Sequence, residues 1–238
     1  MGNKISIGIL GGMGPEASMY MYKMLIELSI KHFNVKNNED FPEIILNSVP
    51  VPDFISNNKN KNIALKILKE RVKDLNKLNI SYLSIACNTA HLLLENLQKD
   101  SSAPFVSMID KVAEAVKKDN IKMVGILGSP TTLRSELYQN VLRTFNIESI
   151  IPGKAQVKLL DKIIRNIIKG KQEDNDHEVL TRIADDLLAR GAEGVILGCT
   201  ELPIIFPLHL KIPVYNSVEI LSMALLRRYY ESNTINTT

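Results

Sequence analysis

Short apolar runs alternate with stretches of helical spacing along the whole chain. Runs near residues 4–10, 43–49, 80–86, 104–107, 122–127, 147–151, 193–198 and 212–215 read as strands, because a strand covered on both faces shows a nearly continuous apolar run bounded by turn residues. Between them, 16–31, 62–78, 89–98, 110–118, 132–145, 156–169, 175–190 and 217–230 place apolar residues every three or four positions, as in Ile63, Ile67, Leu68, Val72 and Leu75. Pro15, Pro104, Pro130, Pro152 and Pro213 fall at the edges of these elements. The alternation predicts an α/β fold of parallel sheets covered by helices. Asn57–Asn62 and the tail 233–238 are polar and read as solvated loop and frayed end.

The chain also resembles itself. Ile7-Gly8-Ile9-Leu10-Gly11 recurs as Val124-Gly125-Ile126-Leu127-Gly128, an offset of 117 residues; Cys87 and Cys199 close similar apolar runs at an offset of 112; Ala103-Pro104-Phe105-Val106 and Ile212-Pro213-Val214-Tyr215 are 109 apart. Three near-equal offsets predict two similar α/β halves related by pseudo-two-fold symmetry. Residues 1–103 with 216–238 form the expected first half, carrying Cys87, and 104–215 the second, carrying Cys199. Because ligands of such sheets bind at the carboxyl ends of strands, the site is expected in the cleft between the halves.

Composition narrows the function. The 238 residues are 45% hydrophobic and 23% charged, with 29 Lys+Arg against 26 Asp+Glu giving +3, and only 5% are aromatic with no Trp. That balance supplies neither the basic surface nor the stacking residues of a nucleic-acid binder. No run approaches the roughly 20 apolar residues of a membrane span, and the first apolar run is too short and too soon broken by glycine for a signal peptide, so a soluble cytoplasmic protein without membrane partners is expected. Met1-Gly2 with Ser6 fits the myristoylation pattern only by chance, since a buried strand follows at once.

Two cysteines make no disulfide framework. A lone free cysteine is ordinarily a small buried hydrophobe, but that reading does not explain why both occupy equivalent places, one followed by Asn88-Thr89 and the other by Thr200-Glu201. These polar residues are suited to capping a helix, and a helix start favours a thiolate or a carboxylate. Two thiols facing across a cleft suit racemisation of an amino acid. One sulfur, as thiolate, removes the α-proton, and the other, as thiol, returns one to the opposite face. Contacts of about 3–3.5 Å on each side put the sulfurs roughly 7 Å apart.

Gly11-Gly12-Met13-Gly14-Pro15-Glu16-Ala17, Ala86-Cys87-Asn88-Thr89-Ala90-His91 and Gly198-Cys199-Thr200-Glu201-Leu202-Pro203 together resemble the cofactor-independent aspartate/glutamate racemase family, nearest its aspartate racemase branch. The glutamate racemase branch has His after the second Cys-Thr, where this chain has Glu201. The resemblance implies Cys87 and Cys199 as the catalytic pair, no pyridoxal phosphate or metal, and a homodimer. It further implies Asn88, Thr89 and Thr200 on the substrate α-carboxylate, Met13, Gly14 and Thr132 lining the pocket, Glu201 beside them, and Lys158 on an acidic side chain. In this branch an arginine follows Pro-Asp after the second strand, whereas this chain reads Pro52-Asp53-Phe54. Phe54 cannot supply a bidentate guanidinium, which opens the way to a broad-specificity racemase of non-acidic amino acids.

Two other classes compete. Gly12-Met13-Gly14-Pro15-Glu16-Ala17 also fits a dinucleotide fingerprint, but the next strand ends in Asn47-Ser48-Val49, without the acidic residue a ribose needs. A two-lobed solute-binding module would not need the thiols. His91 is expected to be a packed or capping histidine, and Glu201 in its plainest role complements a helix start.

Overall fold

The computed structural model describes residues 5–56, 59–206 and 212–235. The expectations for Gly2, Lys4, Asn57, Asn58 and residues 236–238 lie outside them.

Two parallel sheets are built by the same rule. The first has strand order β2 (Glu43–Ser48), β1 (Ser6–Gly11), β3 (Tyr82–Ile85), and the second β5 (Glu148–Ile150), β4 (Met123–Gly128), β6 (Val195–Gly198), β7 (Val214–Asn216). β1 and β4, the repeated Gly-Ile-Leu-Gly segments, are the central strands of their halves. All six β1 residues are buried, which is why the run lacks polar alternation. The third repeat is equally visible in the pairing: Leu83 N–H donates to the Pro104 carbonyl and Val195 N–H to the Pro213 carbonyl, each at 3.0 Å.

Helices cover both sheets. On the first pack α1 (Pro15–His32), α2 (Lys61–Leu75) and α10 (Ser217–Ile235), and on the second α4 (Met108–Lys118), α6 (Leu137–Thr144), α7 (Lys154–Ile168) and α8 (Asp176–Ala189). The last helix belongs to the first core: Val218, Leu221, Leu225 and Tyr229 join Ile7, Ile9 and Met21. Short helices α3 (Leu94–Gln98), α5 (Pro130–Arg134) and α9 (Leu202–Ile205) lie between strand ends and the longer elements.

Several expected elements differ. The run 104–107 is a single bridge, Phe105 beside Leu83, so it continues the first sheet although the sequence division put it at the head of the second half. Pro104 has no N–H to extend a ladder, and Ser107 already caps α4 by accepting the Asp110 N–H. The expected helix 132–145 is broken into α5 and α6 by Glu136, whose φ is +52°. The expected helix 89–98 begins as a 3-10 turn, Thr89–Leu93, before α3. Gly12 has φ +87°, and a Cβ there would lie 2.4 Å from Val49 N, so the chain leaving β1 can turn only through glycine.

Candidate active site

Cys199 follows β6 directly and Cys87 follows β3 after one residue, Ala86; they are 5% and 4% exposed. Backbone N–H groups of Thr89 and Ala90 face the Cys87 sulfur, yet burial first, then the charge of Glu201, push its thiol up to about 12. Burial and Glu201 likewise push Cys199 well above the ordinary thiol range, and the charge of Cys87 adds to the shift, so the two sulfurs share one electrostatic environment. Both are therefore thiols in the free protein at neutral pH.

Glu201 joins the halves at this point. Its Oε2 accepts from Cys199 Sγ at 3.0 Å and from Thr200 Oγ1 at 3.1 Å, and its Oε1 accepts the Gly14 N–H at 3.3 Å. Burial raises its pKa, and these donors hold the rise back. Gly14 N–H is thus already occupied by a carboxylate of the protein, unlike the free N–H groups a pyrophosphate needs.

The polar residues after the cysteines do not cap helices by their side chains. Asn88, Thr89 and Glu201 reach across the cleft, while Thr200 bonds Glu201 beside it. Thr89 Oγ1 lies 2.9 Å from Ser129 Oγ and 2.8 Å from Thr132 Oγ1. Asn88 donates to Ser217 Oγ at 3.1 Å and accepts from the Tyr138 hydroxyl. The sequence pattern picked the right residues for a different partner: Asn88 at the helix start already has helical backbone, φ −60° and ψ −51°, where a capping residue is extended.

Beside Cys87 lies a cavity of about 180 Å³, walled by Met13, Gly14, Phe54, Ile55, Ile168 and Arg165 among others. Phe54 is 2% exposed and also packs into the first core. Lys158 is exposed on α7 and not on the cavity wall. Two turns further along that helix, Arg165 reaches the cavity instead, donating to Asp53 Oδ2 at 2.8 Å and to Asp161 Oδ2 at 3.4 Å. Sequence reasoning missed Arg165, Tyr138 and Ser217. The seven-residue spacing from Lys158 puts Arg165 on the same face, but periodicity does not tell which turn meets the cleft.

His91 is fixed at both nitrogens. Nδ1 lies 2.8 Å from the Cys87 carbonyl and Nε2 accepts the Met108 N–H at 3.0 Å, which makes Nδ1 the protonated nitrogen. Burial lowers its pKa to about 4. It ties the Cys87 turn to α4 and has no proton to exchange with the cleft. Among the described residues no three His, Cys, Asp or Glu side chains are grouped so as to hold a metal ion, and no helix among them is long and apolar enough to cross a membrane.

Residues 10–225 match the family model described as Asp/Glu/hydantoin racemase. The chain belongs to that family. Asp/Glu racemases are isomerases, and relatives agree with that class. A broad-specificity amino-acid racemase of Bacillus subtilis (strain 168) is 24% identical over 94% of this chain and 97% of its own length. An aspartate racemase homologue from Pyrococcus horikoshii OT3 superposes with a TM-score of 0.79 at 31% identity, covering 94% of this chain and 99% of its own. The aspartate racemase of Picrophilus torridus gives 0.81 at 27% identity, covering 95% and 94%. A racemase of this family must move a proton between the two faces of one carbon, and the cleft end of β3 and β6 holds one buried thiol from each half.

Proposed function

We propose that this chain racemises a free amino acid without a cofactor, Cys87 and Cys199 working from opposite faces of the α-carbon. The observation that carries the reading is the equivalent placement of the two buried thiols at the ends of β3 and β6. One sulfur, as thiolate, takes the α-proton; the electron pair left on carbon spreads into the adjacent carboxylate; the other sulfur gives its proton to the opposite face. In this reading Asn88, Thr89 and Thr200 turn their donors from protein partners to that carboxylate, with Thr132 beside Thr89, and such fixed donors are worth most in a site closed to water.

The proposed substrate range is broader than aspartate. Arg165 is the basic residue on the cavity wall, and its charge is already matched by Asp53 and Asp161. Phe54, Ile55, Ile168 and Met13 add apolar wall. A distal carboxylate there meets no unpaired guanidinium, whereas an uncharged side chain of similar size meets no penalty. The proposal takes the chain as cytoplasmic, with residues 1–106 and 216–238 as one half and 107–215 as the other, in place of the expected division after residue 103, because Phe105 pairs with Leu83 of the first sheet. It takes the enzyme as a homodimer, for which α1 offers exposed Met19, Tyr22 and Ile30 on one face. The test is a chiral assay in D₂O of aspartate, glutamate, asparagine and homoserine. Inversion with one deuterium at the α-carbon supports the reading, and absence of both for an extended panel of amino acids contradicts it.

A further inference from the structure

Among the described residues, the wall of the cavity beside Cys87 carries one cation, Arg165, and one anion, Asp53, and the two are bonded to each other across the cleft. Arg165 Nη2 donates to Asp53 Oδ2 at 2.8 Å, and Asp53 stabilises the guanidinium charge more than Asp161 of the same helix does. Asp161 meets Nε at 3.4 Å and is not on the cavity wall. Asp53 is itself held in place. Its Oδ1 accepts the Ile55 N–H at 3.0 Å, and its carbonyl accepts from Asn60 Nδ2 at 2.8 Å. The next two residues are fastened to the other half at α5: the Phe54 carbonyl accepts from Thr131 Oγ1 and the Ile55 carbonyl from Thr131 N–H, each at 2.9 Å. The carboxylate that Arg165 meets is thus built into the chain.

We propose that Asp53 is a specificity-determining residue: a carboxylate of the protein standing where the distal carboxylate of a substrate would pair with Arg165, so that the site selects amino acids with uncharged side chains. The inference rests on the racemase reading above and names the substrate class of the same cavity. An entering distal carboxylate must displace a competitor tethered at high effective concentration, and it then lies beside that competitor as a like charge. A cationic side chain finds the Asp53 oxygen taken and Arg165 repelling it. An uncharged side chain disturbs neither partner and packs on Phe54, Ile55 and Ile168. With side chains 35% and 48% exposed, the pair contributes little to stability, so replacing either partner is compatible with folding.

Neutralising one partner at a time is expected to move selectivity in opposite directions, which a merely structural role of the loop does not do. Asp53→Asn keeps an Oδ1 acceptor for the Ile55 N–H and frees the guanidinium. Arg165→Gln leaves the Asp53 carboxylate unmatched on the wall. The measurement is kcat/KM for inversion of aspartate and of diaminobutyrate, its cationic counterpart of equal chain length. Each is taken relative to asparagine or homoserine, whichever the unaltered enzyme inverts faster. The ratio cancels changes common to all substrates, such as losing the Asp53 charge that bears on the Cys87 thiol. Asp53→Asn is expected to raise the aspartate ratio at least about tenfold, chiefly through KM, and Arg165→Gln to raise the diaminobutyrate ratio but not that of aspartate. The double variant is expected to show neither gain. Failure of either gain, or an aspartate gain that survives the loss of Arg165, overturns the inference while leaving the racemase intact, as does an unaltered enzyme that prefers aspartate to the uncharged reference. If Asp53→Asn does not fold, Arg165→Gln decides alone, and no gain for diaminobutyrate overturns the inference. Absence of inversion of any amino acid by the unaltered enzyme, by contrast, defeats the racemase reading and this inference with it.

Discussion

His91 and Phe54 show how far one side chain's environment decides its role. Both sit where the sequence drew attention, and burial settles each. His91 is neutral in the fold with a pKa near 4, against about 6.5 when unfolded. Between those values the unfolded chain binds the extra proton, so stability falls as pH drops from about 6.5 to 4, by on the order of 3 kcal/mol in all. Urea unfolding at a series of pH values is expected to show that slope in the natural protein and a shallower one in His91→Ala, which also loses two hydrogen bonds; identical slopes would contradict the assignment. Phe54 was legible as the position that departs from the arginine pattern, but its second duty in the first core was not. Phe54→Arg is therefore expected to lower the melting temperature, since it puts a charge where 2% of the residue is exposed. It is also expected to raise kcat/KM for aspartate over asparagine by at least about tenfold, a difference of about 1.4 kcal/mol. A natural enzyme already strongly selective for aspartate would mean that Arg165 reads the distal carboxylate despite its pairing.

Elements were legible where pattern and length agree. The central strands and α1, α2, α7 and α8 follow from apolar runs and helical spacing, and the repeat of Gly-Ile-Leu-Gly marks which strands lie at the sheet centres. What local pattern could not show is how an element is used by its neighbours. Phe105 and its flanks look like a strand but have one short partner, β3, to pair with. The break at Glu136 comes from a left-handed residue with no glycine or asparagine to announce it. The turn after β1 was legible as glycine-rich, and the structure gives the reason: φ +87° at Gly12 and the backbone of Val49 against it. Gly12→Ala is expected to cost more than about 1 kcal/mol from backbone strain alone, and to lower activity with it by shifting Met13 and Gly14 in the cavity wall. A variant of unchanged midpoint in urea would show that the turn tolerates a side chain.

The whole molecule brings two sheets of like order together so that strand ends from each half meet. Contacts that cross the cleft are numerous there: Thr89 with Ser129 and Thr132, Asn88 with Tyr138, Gly14 with Glu201, and Thr131 with the Phe54 and Ile55 carbonyls. Duplication was readable from three offsets, but the cross-cleft pairs were not, because they join residues from 40 to 187 positions apart with no shared pattern. Enclosure has a chemical consequence at both sulfurs. With Cys87 pushed up to about 12, its labelling by iodoacetamide is expected to keep rising through pH 9 to 11, following the thiolate fraction; a plateau below pH 9 would contradict that. The central claim is that two thiols, one from each half, exchange protons with opposite faces of one carbon, and it is tested most directly by measuring inversion in D₂O with Cys87→Ala and Cys199→Ala separately. The account predicts that each variant nearly loses inversion while retaining one-sided α-proton exchange with a single enantiomer; full racemisation by either one would contradict it.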